Sequence, residues 1–319
     1  MKKLRYICVQ PRLLYYAWQV EVMLNNFIDN GINQDDIDIL VSINQNDETS
    51  NKKNIEAWDI LIKRYTNVNF YFYEDTRQTP IHYISSIRPN ILKQHFKNNL
   101  ELSEYAYFYH DCDIIFTKPV DFSNLLKDDN WYSSNTNSYI NYEYIKSKGY
   151  NVYETMCNII GIDYEIPKRN NVHSGGAQYI LKNLHWTFWD KVESDSERLF
   201  YEINNLNNEI KKENSDYHEL QIWCADMWAV LWNGWLFGNE MIVTNELEFC
   251  WPTDMLTKWD SCPIYHNAGV TQDTTDMFYK GKYFNKFPDD INSDLLKRNV
   301  CSYKYSEEVL KTQKISCLV

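Results

Sequence analysis

Short apolar runs alternate with segments of helical periodicity over the first 120 residues, and this restricts the possible folds more than any other feature. The runs are Tyr6–Val9, Ile37–Ile43, Val68–Tyr73 and Tyr105–Tyr109. Between the first two, Tyr16, Val20, Met23, Leu24 and Phe27 recur on one helix face of Tyr15–Ile28, and Gly31 supplies a stop. Ile55–Tyr65 repeats the pattern through Ile55, Trp58, Ile62 and Tyr65. His82–Phe96 reads as helix, with Pro89 beginning or kinking a segment. Strands buried on both faces lose polar alternation, and strands separated by helices pair in parallel. The expected class is α/β, a mostly parallel central sheet flanked by helices. In such sheets ligands bind beyond the carboxyl ends of the strands.

The fourth run leads into chemistry at that end. In Tyr105-Ala-Tyr-Phe-Tyr-His-Asp-Cys-Asp-Ile-Ile-Phe-Thr-Lys-Pro119, the polar residues His110, Asp111 and Asp113 sit between two apolar runs. Two aspartates two apart in extended chain project to the same side. Such a pair either caps a turn at a strand end or holds a cation. Hard ions such as Mg²⁺ or Mn²⁺ take oxygen ligands and are commonly completed by phosphates.

Composition removes other classes. The chain has 319 residues, enough for one large domain or a domain with an appendage. Its formal charge of -12 disfavours broad phosphate-driven nucleic-acid binding. The eight cysteines show no C-x-x-C spacing, against a zinc site or disulfide scaffold. Gln10, Pro11 and Arg12 interrupt any signal-peptide core after the basic start, and no apolar run is long enough to span a bilayer. A cytoplasmic protein is expected, in the host cytoplasm if the source is viral.

The second half is less regular. From Asp128 to Asn171 the pattern loosens into a long connection with short helices. Gly175-Gly176, after His173 and Ser174, either lets backbone approach a ligand closely or forms a bulge or tight turn before a strand at Ala177. Leu184–Lys212 is helical in character, and His218–Trp232 is a strongly apolar helix. On it Glu219 and Asp226 are two turns apart and share a face. Asp226 among Trp223, Met227 and Trp228 is costly unless paired or used. Later come a short strand at Ile242–Thr244, then Cys262–Gly269, a strand ending in His266 and a Gly269 turn. Lys280 and Lys282 follow in an aromatic setting, and beyond Pro288 a helix and tail.

Together these landmarks resemble a GT-A (Rossmann-like) glycosyltransferase with a D-x-D motif. His266-Asn-Ala-Gly269 with Lys280/Lys282 is similar to the family's H-x-x-G…K segment. The closest resemblance is to the hydroxyproline O-arabinosyltransferase and peptidyl serine α-galactosyltransferase group. It rests on Tyr15-Tyr-Ala-Trp-Gln19, Arg88-Pro89, Ile115-Phe-Thr-Lys-Pro119 and Asp226-Met227-Trp228. The resemblance implies Mn²⁺ or Mg²⁺ held by Asp111, Asp113 and His266 against a nucleotide-sugar donor, expected to be UDP-linked. It also implies donor contacts from Gln10, Arg12, Trp18, Arg88, His110, Asp111, Gly175, Gly176, Gly269, Lys280 and Lys282. Asp226 and Glu219 are then the catalytic candidates, and transfer is retaining. The expected GT-A domain covers residues 1–290, with a nucleotide-sugar half at 1–120 and an acceptor half at 121–290. Residues 291–319 form a C-terminal helical extension.

The acceptor hydroxyl stays open between a protein, a glycan and a hydroxymethylated DNA base in a viral or bacterial setting. The rival readings are a catalytically inactive nucleotide-sugar- or carbohydrate-binding module and a metal-dependent phosphoesterase or nuclease.

Overall fold

The computed structural model describes residues 2–44, 48–78 and 83–316. Part of the expected 44–53 loop, His82 at the start of the third expected helix, and the last three residues lie outside them. Three elements open the chain as the sequence pattern requires: β1 (Leu4–Pro11), α1 (Leu14–Asp29) and β2 (Ile37–Ile43). α2 (Lys52–Arg64), β3 (Asn69–Glu74), α3 (Ile87–Asn98) and β4 (Ala106–Tyr109) continue the alternation. Pro89 is the third residue of α3, inside the first turn, where its missing N–H costs no helix bond.

After the aspartate pair come β5 (Ile114–Phe116), β6 (Trp131–Asn135), the short helices α4 (Asn137–Ile140) and α5 (Tyr142–Lys146), α6 (Tyr150–Ile160) and α7 (Glu165–Arg169). β7 (Gly175–Lys182), α8 (Trp186–Glu213), α9 (Ala225–Leu236) and β8 (Met241–Val243) follow. β9 (Phe249–Cys250), α10 (Leu256–Ser261), β10 (Ile264–His266) and α11 (Cys301–Ser316) complete the chain.

A seven-stranded sheet has the order β3-β2-β1-β4-β7-β6-β8, and a second sheet the order β5-β10-β9. β1 is parallel to β2, and β6 to β8. Backbone bonds from Ala106 to Lys3 and from His110 to Ile7 advance together, so β1 and β4 are parallel as well. β7 is antiparallel to both β4 and β6. The large sheet is thus the mostly parallel, helix-flanked sheet expected. Among the described residues, no helix is long and apolar enough to cross a membrane.

The chain divides into two compact units. Unit I comprises Met1–Leu4, Tyr73–Tyr109 and Ser123–Thr244; unit II comprises Arg5–Phe72, His110–Phe122 and Asn245–Val319. In unit II, Cys8, Val9, Val20, Met23, Leu24, Phe27, Leu40 and Val41 are buried in the β1/α1/β2 core. The C-terminal helix α11 belongs to this core: Tyr305 is fully buried and stacks on Tyr265, and Asn25 donates to the Thr312 hydroxyl. In unit I, α8 and α9 carry Trp189, Trp228 and Trp232 into a core as dry as that of unit II.

Two elements correct the expected layout. Residues 128–171 are not only loop and short helix: Trp131–Asn135 is strand β6, whose Ser133 and Ser134 are fully buried. Small hydroxyl side chains hid a buried strand. The helix expected from His218 starts only at Ala225, after a 3-10 turn, so Glu219 and Asp226 do not share a helix face.

β7 explains the glycine pair. The β6/β7 register shifts between Ser133 and Ser134, opposite Gly176. A Cβ at Gly175 would lie 1.9 Å from Ser133 Oγ and 2.7 Å from the Ser134 carbonyl oxygen. The pair therefore serves strand packing at a bulge. Gly175→Ala is expected to cost about 1–3 kcal/mol, as overpacking does. A denaturant titration checks it, and an unchanged midpoint would remove this account.

Candidate functional site

Unit II places the sequence-predicted ligands at the carboxyl end of β1. The His110 N–H donates to the Ile7 carbonyl at 3.1 Å, which carries Asp111-Cys112-Asp113 to that end. The chain then turns into β5, which runs antiparallel to β10 with Ile114 opposite His266. The Asn267 N–H donates to the Asp113 carbonyl at 2.9 Å and fixes the crossing. His266 reaches both carboxylates, its Nε2 lying 3.4 Å from Asp113 and 3.8 Å from Asp111. Trp251 stacks on its ring at 5.7 Å and 15°. One ligand atom from each of Asp111, Asp113 and His266 lies within 4.8 Å of the others.

Lys280 completes the cluster by pairing directly with Asp113. Burial opposes ionisation of Asp113, but the Lys280 ammonium and His266 outweigh it and hold the carboxyl well below the usual range. Lys280 is likewise disfavoured as a cation by burial, yet Asp113 more than offsets this and keeps it protonated. Lys282 points elsewhere, to Asp290 at 3.2 Å, with its ammonium 5.2 Å from the Tyr283 ring centroid. Gly269, at φ +85, makes the left-handed turn after His266 that glycine adopts without strain.

Other expected donor contacts are differently employed. Trp18 is 1% exposed; its indole N–H donates to the Tyr283 carbonyl, and its ring packs edge-on to Phe278. It packs as part of the core of unit II. His110 is also buried, with Nδ1 2.9 Å from the Asp111 carbonyl, and burial pushes its imidazole down to about 4. It is neutral at pH 7 and supports the turn. Gln10 is buried at the end of β1, and Arg12 donates to the Thr49 carbonyl at 2.7 Å. The aromatic surface that sequence reasoning missed is Tyr15 on exposed Phe284, ring centroids 5.2 Å apart. Tyr15 opens the same Y-x-x-W-Q motif, and its partner 269 positions away gives no local signal.

Unit I holds the remaining candidates. Arg88 pairs with Asp226, and the Tyr83 hydroxyl donates to the same carboxylate. Burial, with Asp226 next, keeps the Tyr83 phenol protonated far above its ordinary range, so it remains a donor. Asp226 is therefore a paired buried carboxylate, and Arg88 is its counter-charge. Near it, a Cβ on Gly176 would lie 2.4 Å from Met227 Cε and 3.0 Å from the Tyr179 hydroxyl. Trp223, 55% exposed, stacks on Tyr139 at 6.0 Å. Glu219 is exposed and bonded to Lys211, in the loop ahead of α9, which leaves it without the geometry expected of a catalytic partner to Asp226. Tyr83 was not singled out from sequence, and Trp223 stood there only as an apolar neighbour of Asp226.

No protein-family model matches the sequence, and no curated protein matches it. Among solved structures, the chain is similar to a WbbM bifunctional glycosyltransferase in its apo form, with TM-score 0.49 and 10% identity over 98% of this chain and 51% of that one. It is also similar to apo mouse xyloside xylosyltransferase 1, at TM-score 0.41 and 9% identity over 84% and 100% of the two chains. A third is a glycosyltransferase involved in glycosylation of the major capsid of PBCV-1, at TM-score 0.35 and 11% identity over 85% and 95%. The chain spans about half the length of the first of these. None of the three bears a name from the arabinosyltransferase or α-galactosyltransferase group, and that narrower resemblance has no support beyond its motifs.

Proposed function

We propose that the chain is a metal-dependent GT-A-type glycosyltransferase that moves a sugar from a UDP-linked donor to an acceptor hydroxyl with retention. The observation that carries this reading is the convergence of Asp111, Asp113, His266 and Lys280 in unit II. Two carboxylates and an imidazole suit Mn²⁺ or Mg²⁺, and three protein ligands leave positions for donor phosphate oxygens. Such an ion offsets the charge that builds on a departing nucleoside diphosphate. Lys280 adds a fixed positive charge at the same place. Tyr15 and Phe284 offer a ring surface for the base.

Transfer then needs little further machinery. The acceptor oxygen bonds to the anomeric carbon, the bond from that carbon to the donor phosphate breaks, and the phosphate oxygen takes the acceptor proton. Asp226 orients the acceptor or steadies charge on the sugar, and Trp223 with Tyr139 gives an exposed aromatic platform in the same unit. The acceptor is a protein, glycan or modified-base hydroxyl.

One observation favours a second reading, a nucleotide-sugar-binding module without turnover: Lys280 already neutralises Asp113. A thermal-shift and turnover panel separates the two. It uses UDP-, GDP- and TDP-sugars with Mn²⁺, Mg²⁺ or EDTA. A UDP-sugar with Mn²⁺ is expected to stabilise the fold by about 2.7 kcal/mol at a hundredfold excess over its Kd. The stabilisation disappears in EDTA, and slow UDP release accompanies it. Stabilisation without release supports the binding module, and no shift with any donor overturns both.

A further inference from the structure

Unit I contains a cleft of about 410 Å³ that the transfer chemistry does not use. Its volume is that of an ordinary small-molecule site. Trp235, Met241 and Ile242 supply apolar surface, while Arg169, His173 and Glu240 supply polar groups. The cleft lies where α7 and the 3-10 turn after it face the end of α9 and the start of β8.

The polar groups are uncommitted. Among the described residues, the side chains of Arg169, His173 and Glu240 make no hydrogen bond or ion pair, and the Trp235 indole N–H has no acceptor. The half-buried His173 carries a further cost: its Nδ1 is shut off from solvent and meets no partner among the described residues. A buried group left unpaired costs about 1–3 kcal/mol.

We infer that this cleft binds an uncharged sugar ring of a glycan, at a site separate from the Asp111/Asp113/His266 cluster. The donor set selects the ligand class. Arg169 and the Trp235 indole offer donors, Glu240 offers acceptors, and His173 offers either according to its tautomer. A polyanion would meet the Glu240 carboxylate, and a polycation the Arg169 guanidinium. A pyranose suits both parts of the lining, because its hydroxyls both donate and accept while its C–H groups meet the apolar edge that Ile242 and the largely buried Trp235 and Met241 present to the cleft. The inference does not need the transfer reaction, since binding here is read without donor or metal.

Saturation-transfer NMR with methyl α- and β-pyranosides of glucose, galactose, mannose and xylose tests it, in EDTA and without nucleotide. At least one glycoside is expected to bind at millimolar concentration. Arg169→Ala and Glu240→Gln should each weaken that binding about tenfold, the loss of one hydrogen bond to a charged group. Both side chains are exposed, so melting temperatures close to wild type confirm folded variants. Binding that neither variant weakens overturns the inference, as does the absence of binding by every glycoside. Competition by inorganic phosphate also overturns it, because the cleft would then be an anion site. A failure here leaves the donor panel unaffected, and a failed donor panel leaves this binding intact.

Discussion

Asp113→Asn is expected to lower metal-dependent release of nucleoside diphosphate by about a thousandfold, roughly 4 kcal/mol of transition-state stabilisation. Asp113 is the better placed of the two aspartates to carry this loss. Its carboxylate is buried and lies against both His266 and Lys280, whereas Asp111 is only half-buried. An amide keeps the shape and removes the charge that a divalent ion requires. It also strips Lys280 of its counter-charge, so the single variant should melt earlier for reasons unrelated to turnover. Asp113→Asn/Lys280→Met separates the effects by removing both charges together. The double variant should recover most of the melting temperature and none of the turnover. UDP release with Mn²⁺ at the wild-type rate in Asp113→Asn would sink the metal assignment.

The cluster was legible because its parts carry local signals. Aromatic and β-branched residues mark β4, two-residue spacing aligns the aspartates, and His266 closes a short apolar run. Which strand pairs with which was not legible. Ile114–Phe116 is too short a run to name its partner, and it joins β10 in the smaller sheet instead of prolonging β4. β6 was missed for a related reason. Its Ser134 donates to Gln178 within a buried sheet, a pairing 44 residues away that satisfies polar groups local pattern assigns to a loop. Trp18 shows the opposite error. Helical periodicity already ran through Tyr16, Val20 and Met23, and Trp18 proved to be on a buried face despite its place in a ligand-like motif. Glu219 depended on helix continuing back to His218. The contact with Lys211 and the 3-10 turn at Ile222–Cys224 hold it outside α9 instead.

Asp226→Ala is expected to destabilise the chain by about 3–5 kcal/mol, the cost of breaking a buried pair by removing one partner. The carboxylate is 7% exposed, and both of its oxygens are engaged, one by Arg88 and one by Tyr83. Truncation removes an acceptor from the Arg88 guanidinium and from the Tyr83 hydroxyl at once, so the loss exceeds that of an ordinary surface ion pair. A denaturant titration at neutral pH measures it, and a cost under about 0.5 kcal/mol, that of a surface substitution, would contradict the burial argument. Because a structural carboxylate and a catalytic one both fail as alanine, the deciding variant is Arg88→Met/Asp226→Leu. Replacing a buried ion pair by apolar groups of similar volume is often neutral in stability. If that variant folds as well as wild type and still transfers sugar, Asp226 serves the fold alone. If it folds and binds donor with an unchanged Kd but fails to transfer, the pair acts on the acceptor or the departing sugar. The readouts differ because donor affinity reports on the metal cluster in unit II, and turnover alone would report a role for the Arg88/Asp226 pair in unit I.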